Sequence, residues 1–151
     1  MPINIVLIEP EIPNNTGNIG RLALATGSNL HLVKPFGFEI DDKRLKRAGL
    51  DYWQHLDVTY YDSSADFFEI HKDKTMAFLS AHGTTSHWDI EFEDDIFLIF
   101  GKESVGLSKA ITEKYKTQLF KIPMFSKNIR SLNLANAVSI VTYEALKHIH
   151  N

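Results

Sequence analysis

Cysteine is absent from the 151 residues. That excludes disulfide frameworks, thiolate zinc sites, iron–sulfur clusters and cysteine nucleophiles. No run approaches the roughly 18 apolar residues that a membrane span needs. The amino terminus lacks a basic segment followed by a long apolar stretch. A cytoplasmic domain with no membrane partner is therefore expected. Several chemistry-bearing patterns are also missing. There is no His-Glu-x-x-His, and His82 and His87 stand without a carboxylate set, so no metal is expected. Gly17-Asn18-Ile19-Gly20 lacks the third glycine of a dinucleotide loop, and Gly101-Lys102 has no glycine five residues before Gly101. Ser80 and Ser104 have no nucleophile elbow around them.

What is present is an ordinary globular composition, 44% hydrophobic and 23% charged, with a formal charge of −3. This length predicts one domain, residues 1–151, able to bury a core unaided. The charge is uneven. Residues 1–101 carry 8 Lys/Arg against 16 Asp/Glu, whereas residues 102–151 carry 8 against 3. Such a split is either ordinary surface variation or the source of a positive face on an acidic chain.

Short β-rich runs alternate with helical segments. Strands are expected at 3–8, 30–33, 58–61, 75–80, 96–100 and 118–122. Helices are expected from near Thr16 to Gly27, from Lys43 to Ala48, after Ser63 to about His71, from about Ser108 to Lys116, and from a Ser131 cap to about His148. This alternation predicts an α/β fold, a mostly parallel sheet with helices on both faces. Ligands collect beyond the carboxyl ends of such strands, which directs attention to the loops at 9–16, 80–84, 101–107 and 123–131.

Three segments there can carry chemistry. In Pro13-Asn14-Asn15-Thr16-Gly17-Asn18-Ile19-Gly20-Arg21, amides at a helix start suit an anionic group, and Arg21 about one turn in offers a phosphate-matching fork; capping by Asn15 or Thr16 with Arg21 in solvent is the alternative. In Phe100-Gly101-Lys102-Glu103-Ser104-Val105-Gly106-Leu107, two glycines permit a tight turn against a ligand, with Glu103 either accepting hydrogen bonds or sitting at a helix start. The third is Ile122-Pro123-Met124 followed by Ser131-Leu132-Asn133-Leu134-Ala135-Asn136-Ala137. The helix after it is apolar on nearly all sides and must bury two faces, one of them against the rest of the chain or against a partner subunit.

Together the three segments resemble the SpoU-like branch of the SPOUT superfamily of RNA methyltransferases. The match runs over Asn15-Thr-Gly17-Asn18-Ile-Gly-Arg21, Phe100-Gly101-Lys-Glu103-Ser-Val-Gly106-Leu107 and Ile122-Pro123-Met124…Ser131-Leu132-Asn133-Leu134-Ala-Asn136-Ala137, in that order. The opening Glu9-Pro-Glu-Ile-Pro13 and the block from Asp41 to Tyr52 are similar to the small, single-domain TrmL type over essentially the whole chain. The resemblance implies S-adenosylmethionine as methyl donor, a homodimer, a C-terminal trefoil knot, and methylation of the ribose 2′-oxygen at the tRNA wobble nucleotide, cytidine or uridine 34 in the anticodon stem-loop. Another tRNA or rRNA position, or a non-catalytic RNA-binding module, are the alternatives.

By position, the resemblance makes Arg21, Asn15 and Glu103 the catalytic set, with Arg21 as the catalytic arginine and Asn15 and Glu103 shaping the site. It lines the donor pocket with Leu79, Gly101, Ile122, Met124, Ser131 and Leu132, and gives Tyr143 an RNA-facing or interface role. Lys43, Arg44, Lys46 and Arg47, four cations in five residues, together with Arg130, are candidates for the RNA phosphates; a solvated helix face is the other reading of that run.

Overall fold

A computed structural model of the protein describes residues 2–39 and 51–150. The expected helix from Lys43 to Ala48 lies outside these residues, as do Lys43, Arg44, Lys46 and Arg47. The described elements run β1 (Asn4–Ile8), α1 (Pro13–Thr26), β2 (Asn29–Val33), β3 (Val58–Tyr61), α2 (Ser64–Ile70), β4 (Met76–Leu79), β5 (Thr85–Ser86), β6 (Phe97–Phe100), α3 (Lys109–Lys114), β7 (Leu119–Lys121) and α4 (Leu134–Ile149).

The strands form one sheet in the order β3-β2-β1-β6-β4-β7-β5, parallel at every pairing among the described residues. Its central strands are continuous apolar runs because both faces are covered. Alternation divides their side chains. Ile5 and Leu7 pack with Ile19 and Ala23 of α1 and with Val138, Val141 and Ala145 of α4. Val6 and Ile8 face the other way, onto Phe67 of α2, with Ile111 of α3 at the margin. The α/β expectation with helices on both faces holds.

Local signals set several boundaries. Ser63 accepts a hydrogen bond from the Asp66 amide, and Ser108 from that of Ile111, each capping its helix. Gly27 ends α1 in the left-handed region, φ 66°. Two starts differ from expectation. Helix α1 begins at Pro13, where proline's fixed φ and missing N–H suit a first turn. Helix α4 is capped by Asn133, whose Oδ1 accepts from the amides of Ala135 and Asn136, two residues beyond the expected Ser131.

The order of strands positions the site. Chain order carries β1 outward through β2 to β3, then back to β4, and β6 fills the gap between β1 and β4. The loops that follow β1 and β6 thus emerge side by side at the carboxyl end, where the topology changes direction. Helices α1 and α4 lie parallel on one face: Asn15 and Asn133 touch at their starts, while Thr26 and Gly27 share a depression with Leu146 and Ile149 at their ends.

Candidate active site

Glu103 is the centre of the carboxyl-end cluster. Its Oε1 accepts from the Glu11 amide at 2.9 Å, and its Oε2 from the Ile12 amide at 2.8 Å and from Asn15 Nδ2 at 3.2 Å. Helix α1 has no side-chain cap of its own, so a carboxylate some ninety residues away in sequence supplies the negative charge that its amino end favours. Glu11 returns the contact by accepting the Ser104 amide at 2.8 Å. Hydrogen bonds from Ser104 hold the Glu11 carboxyl below its ordinary range, helped by the nearby Lys102 charge.

Asn15 carries the connection onward. Its Nδ2 donates to Glu103 while its Oδ1 accepts from Asn133 Nδ2 at 3.1 Å. Asn133 in turn caps α4. One run of hydrogen bonds, Glu103–Asn15–Asn133, therefore joins all three sequence segments. It also corrects the first expectation: the amino end of α1 presents no open anion cradle, because Glu103 fills that place. Glu103 and Asn15 are committed to one another and to backbone amides, which makes them positioning groups. Gly101 similarly packs against its own loop: a Cβ there would lie 2.2 Å from the Gly106 carbonyl carbon and the Leu107 nitrogen.

Arg21 stands elsewhere on α1. Since the helix begins at Pro13, Arg21 is its ninth residue, two turns from the start and not the one turn expected. Its side chain is exposed and pairs with no carboxylate among the described residues. Its Cζ lies 6.0 Å from the centroid of the Tyr52 ring, within cation–π range. Tyr52 is fixed in turn, donating from its hydroxyl to the Gly17 carbonyl at 2.7 Å. Burial raises the Tyr52 pKa, partly offset by the Arg21 charge. The backbone close to this ring is tight, since a Cβ on Gly20 would come 2.5 Å from the Trp53 side chain. Tyr52 was not among the expected site residues; only the aromatic at the end of the Asp41-to-Tyr52 block hinted at it.

The residues expected to line the donor pocket lie at and beyond the same end of the sheet. Leu79 closes β4, nearly buried, and Ile122 and Leu132 are half-buried on either side of the loop that joins β7 to α4. Met124 and Ser131 are exposed on that loop. The 80–84 link crosses the backbone of β7: the Ser80 amide donates to the Phe120 carbonyl at 2.9 Å, and a Cβ on Gly83 would lie 2.7 Å from the Phe120 carbonyl carbon. Apolar side chains bordered by loop backbone fit an adenine ring and a thioether-like chain better than a hydrated cation. No group of three His, Asp or Glu able to hold a metal occurs among the described residues. Thus Leu79, Ile122 and Leu132, with the loop backbone around Gly101, would hold S-adenosylmethionine.

Tyr143 is 55% exposed on α4, facing away from the sheet that buries Val138, Val141, Thr142 and Ala145. Arg130 lies exposed on the β7–α4 loop with no ion pair among the described residues.

A parallel α/β sheet whose carboxyl-end loops are tied together in this way places the chain in a class, and comparison with known proteins gives its family. Residues 2–143 match the SpoU rRNA methylase family, and the chain belongs to it. Among curated relatives, it is 45% identical over 148 residues to a tRNA (cytidine(34)-2′-O)-methyltransferase of Escherichia coli K12, covering 97% of this chain and 94% of that one. A solved structure described as giving insight into 2-OH methylation of C/U34 on tRNA superposes with a TM-score of 0.89 at 42% identity, over 96% of this chain and 94% of the other. The AviRb methyltransferase of Streptomyces viridochromogenes, solved in complex with AdoMet, superposes at 0.80 with 25% identity, over 97% of this chain and 57% of that one.

Proposed function

We propose that the protein methylates the ribose 2′-oxygen of the tRNA wobble nucleotide, cytidine or uridine 34, in the cytoplasm, using S-adenosylmethionine. The observation that carries this reading is the Glu103–Asn15–Asn133 run, which binds the three family segments into one site. Near-complete mutual coverage with the Escherichia coli enzyme supports the tRNA substrate.

When bound, S-adenosylmethionine supplies a methyl group on a cationic sulfur, an electrophile that needs no metal. The residues of this chain must do the rest. Leu79, Ile122 and Leu132 would exclude water and orient the donor, and holding two substrates together is worth about 7–11 kcal/mol. The planar guanidinium of Arg21 carries only donors and offers no lone pair to accept a proton. It therefore acts as a cation that grips the phosphate next to the target ribose and stabilises charge on the 2′-oxygen as its proton passes to solvent water, which reaches this exposed side chain.

The active form is a homodimer. Adjacent parallel helices expose Leu24 on α1 and Ile140 and Tyr143 on α4, apolar surface that a second copy would cover. The C-terminal trefoil knot is part of the same reading: β7 lies between β4 and β5, and the 80–84 link joining those two strands passes over it. Lys43, Arg44, Lys46, Arg47 and Arg130 supply a phosphate track, so neutralising the first four should flatten the salt dependence of tRNA binding.

The deciding experiment maps ribose methylation in tRNA from a strain lacking the gene. Loss of the 2′-O-methyl group at nucleotide 34, restored by the wild-type gene, is expected. Intact methylation there, with loss at another tRNA or rRNA position, overturns the assignment.

A further inference from the structure

The β7–α4 loop exposes an apolar tip that the functional reading leaves unused. Phe125 is 88% exposed, more than any other large hydrophobic residue described, and Ile129 on the same loop is 54% exposed. Burying an aromatic ring against a ligand is favourable, and this tip presents one to solvent. The turn beneath it is ordered locally, with the Asn128 amide donating to Ser126 Oγ at 3.2 Å. From there the chain runs directly to Asn133, and so to Asn15 and Glu103.

The charge around the tip selects the occupant. Residues 122–133 contain Lys127 and Arg130 and no Asp or Glu, and neither cation has an ion-pair partner among the described residues. A planar apolar ring on the same short loop as two cations without an ion-pair partner among the described residues matches a polyanion that also presents flat, unstacked faces. Single-stranded RNA has that chemistry. A duplex has the phosphates but keeps its bases stacked, out of reach of the ring. A purely apolar protein partner would leave both cations desolvated and unpaired.

We propose that Phe125 is a substrate-positioning residue on which one unpaired base of the RNA loop stacks, while Lys127 and Arg130 hold the flanking phosphates. The proposal rests on the reading of the substrate as a tRNA anticodon loop, and adds how the loop is opened and held. Base–aromatic stacking is worth about 1–3 kcal/mol per base, so its removal should weaken binding roughly 5- to 150-fold.

The test uses the full chain, an anticodon stem-loop hairpin and a blunt RNA duplex. Affinity for each is read by fluorescence anisotropy, alongside KM and kcat for methylation of the hairpin. Phe125→Ala should raise the hairpin Kd and KM by that factor, with kcat at saturating RNA and duplex binding both preserved; Phe125→Tyr should restore the hairpin affinity. Calorimetry with S-adenosylmethionine and sedimentation should show unchanged donor affinity and unchanged mass. Hairpin binding equal to wild type in Phe125→Ala overturns the proposal. So does a lost donor affinity, which would make the ring a lid on the donor, or a shift to monomer, which would make it part of a contact between copies. Phe125-dependent hairpin binding without any methylation would instead overturn the functional reading alone.

Discussion

Replacing Glu103 by glutamine changes one oxygen to an NH2 group and leaves the side chain's shape intact. In the wild type the carboxylate receives three donors, the amides of Glu11 and Ile12 and the Asn15 side chain, at 2.9, 2.8 and 3.2 Å. An amide has one oxygen to offer. If that oxygen keeps Ile12 and Asn15, the new NH2 faces the Glu11 N–H, donor against donor; the opposite flip leaves two donors unserved. A hydrogen bond to a charged group is worth about 1.5–3 kcal/mol, and an unserved donor costs about 1–3 kcal/mol. Losing negative charge at the start of α1 adds about 0.3–1 kcal/mol. Water reaches the Ile12 contact and repays part of this. The net cost should be about 2–3 kcal/mol, visible in urea unfolding as a lower midpoint with an unchanged slope. The functional effect should exceed what lost stability explains, because in one flip Asn15 loses its acceptor and in the other it exchanges a charged oxygen for a neutral, shared one, and either loosens its hold on Asn133. Affinity for S-adenosylmethionine, measured by calorimetry on the folded variant, should fall as well. An unchanged urea midpoint together with unchanged donor affinity would refute the argument that Glu103 organises the site.

Arg21→Lys should lose most of the activity while donor affinity stays intact, because an ammonium cannot reproduce the guanidinium fork; a near-normal kcat would remove Arg21 from the chemistry. Tyr52→Phe forfeits the hydrogen bond to Gly17 and about 1 kcal/mol of stability, yet keeps the ring beneath Arg21, so kcat should change far less than in Tyr52→Ala. Acid should destabilise the fold through His31, which is 6% exposed and held between Tyr61 and Asn4. Burial, reinforced by the His71 charge, lowers its pKa to about 4. The unfolded chain therefore takes up more protons than the folded one between about pH 6.5 and 4. Stability is fully present above 6.5 and falls as pH drops through that window, by up to about 3 kcal/mol. A melting temperature that stays level from pH 7 to 5 would contradict this. Gly83→Ala should cost about 1–3 kcal/mol, since its Cβ would meet the backbone of Phe120 and not a movable side chain.

Features with local causes were legible in the sequence. The apolar runs became the central strands because each is buried on both faces, and Ser63, Ser108 and Gly27 mark helix ends through contacts within four residues. Features with distant causes were not. Thr16 looked like the start of α1 because its true cap, Glu103, reaches it only once β6 is inserted beside β1. Ser131 and Asn133 are equally good caps by type. Asn15 decides between them, from the far end of the chain. Strand β5 has two residues and, among the described residues, pairs with β7 alone, too short a run to leave a pattern. The three site segments were readable by their order, but the contacts joining them were not, nor was the ring under Arg21.

The 80–84 link also bears on how the molecule is made. Ribosomes deliver the amino end first, so the sheet from β3 to β4 can assemble while residues beyond 119 are still inside the exit tunnel. Strand β7 takes its place between β4 and β5, and Asn133, later still in the chain, meets Asn15. A chain cut short before residue 119 would keep Arg21, Glu11 and Glu103 yet lack Asn133, and with it the contact that ties α4 to Asn15.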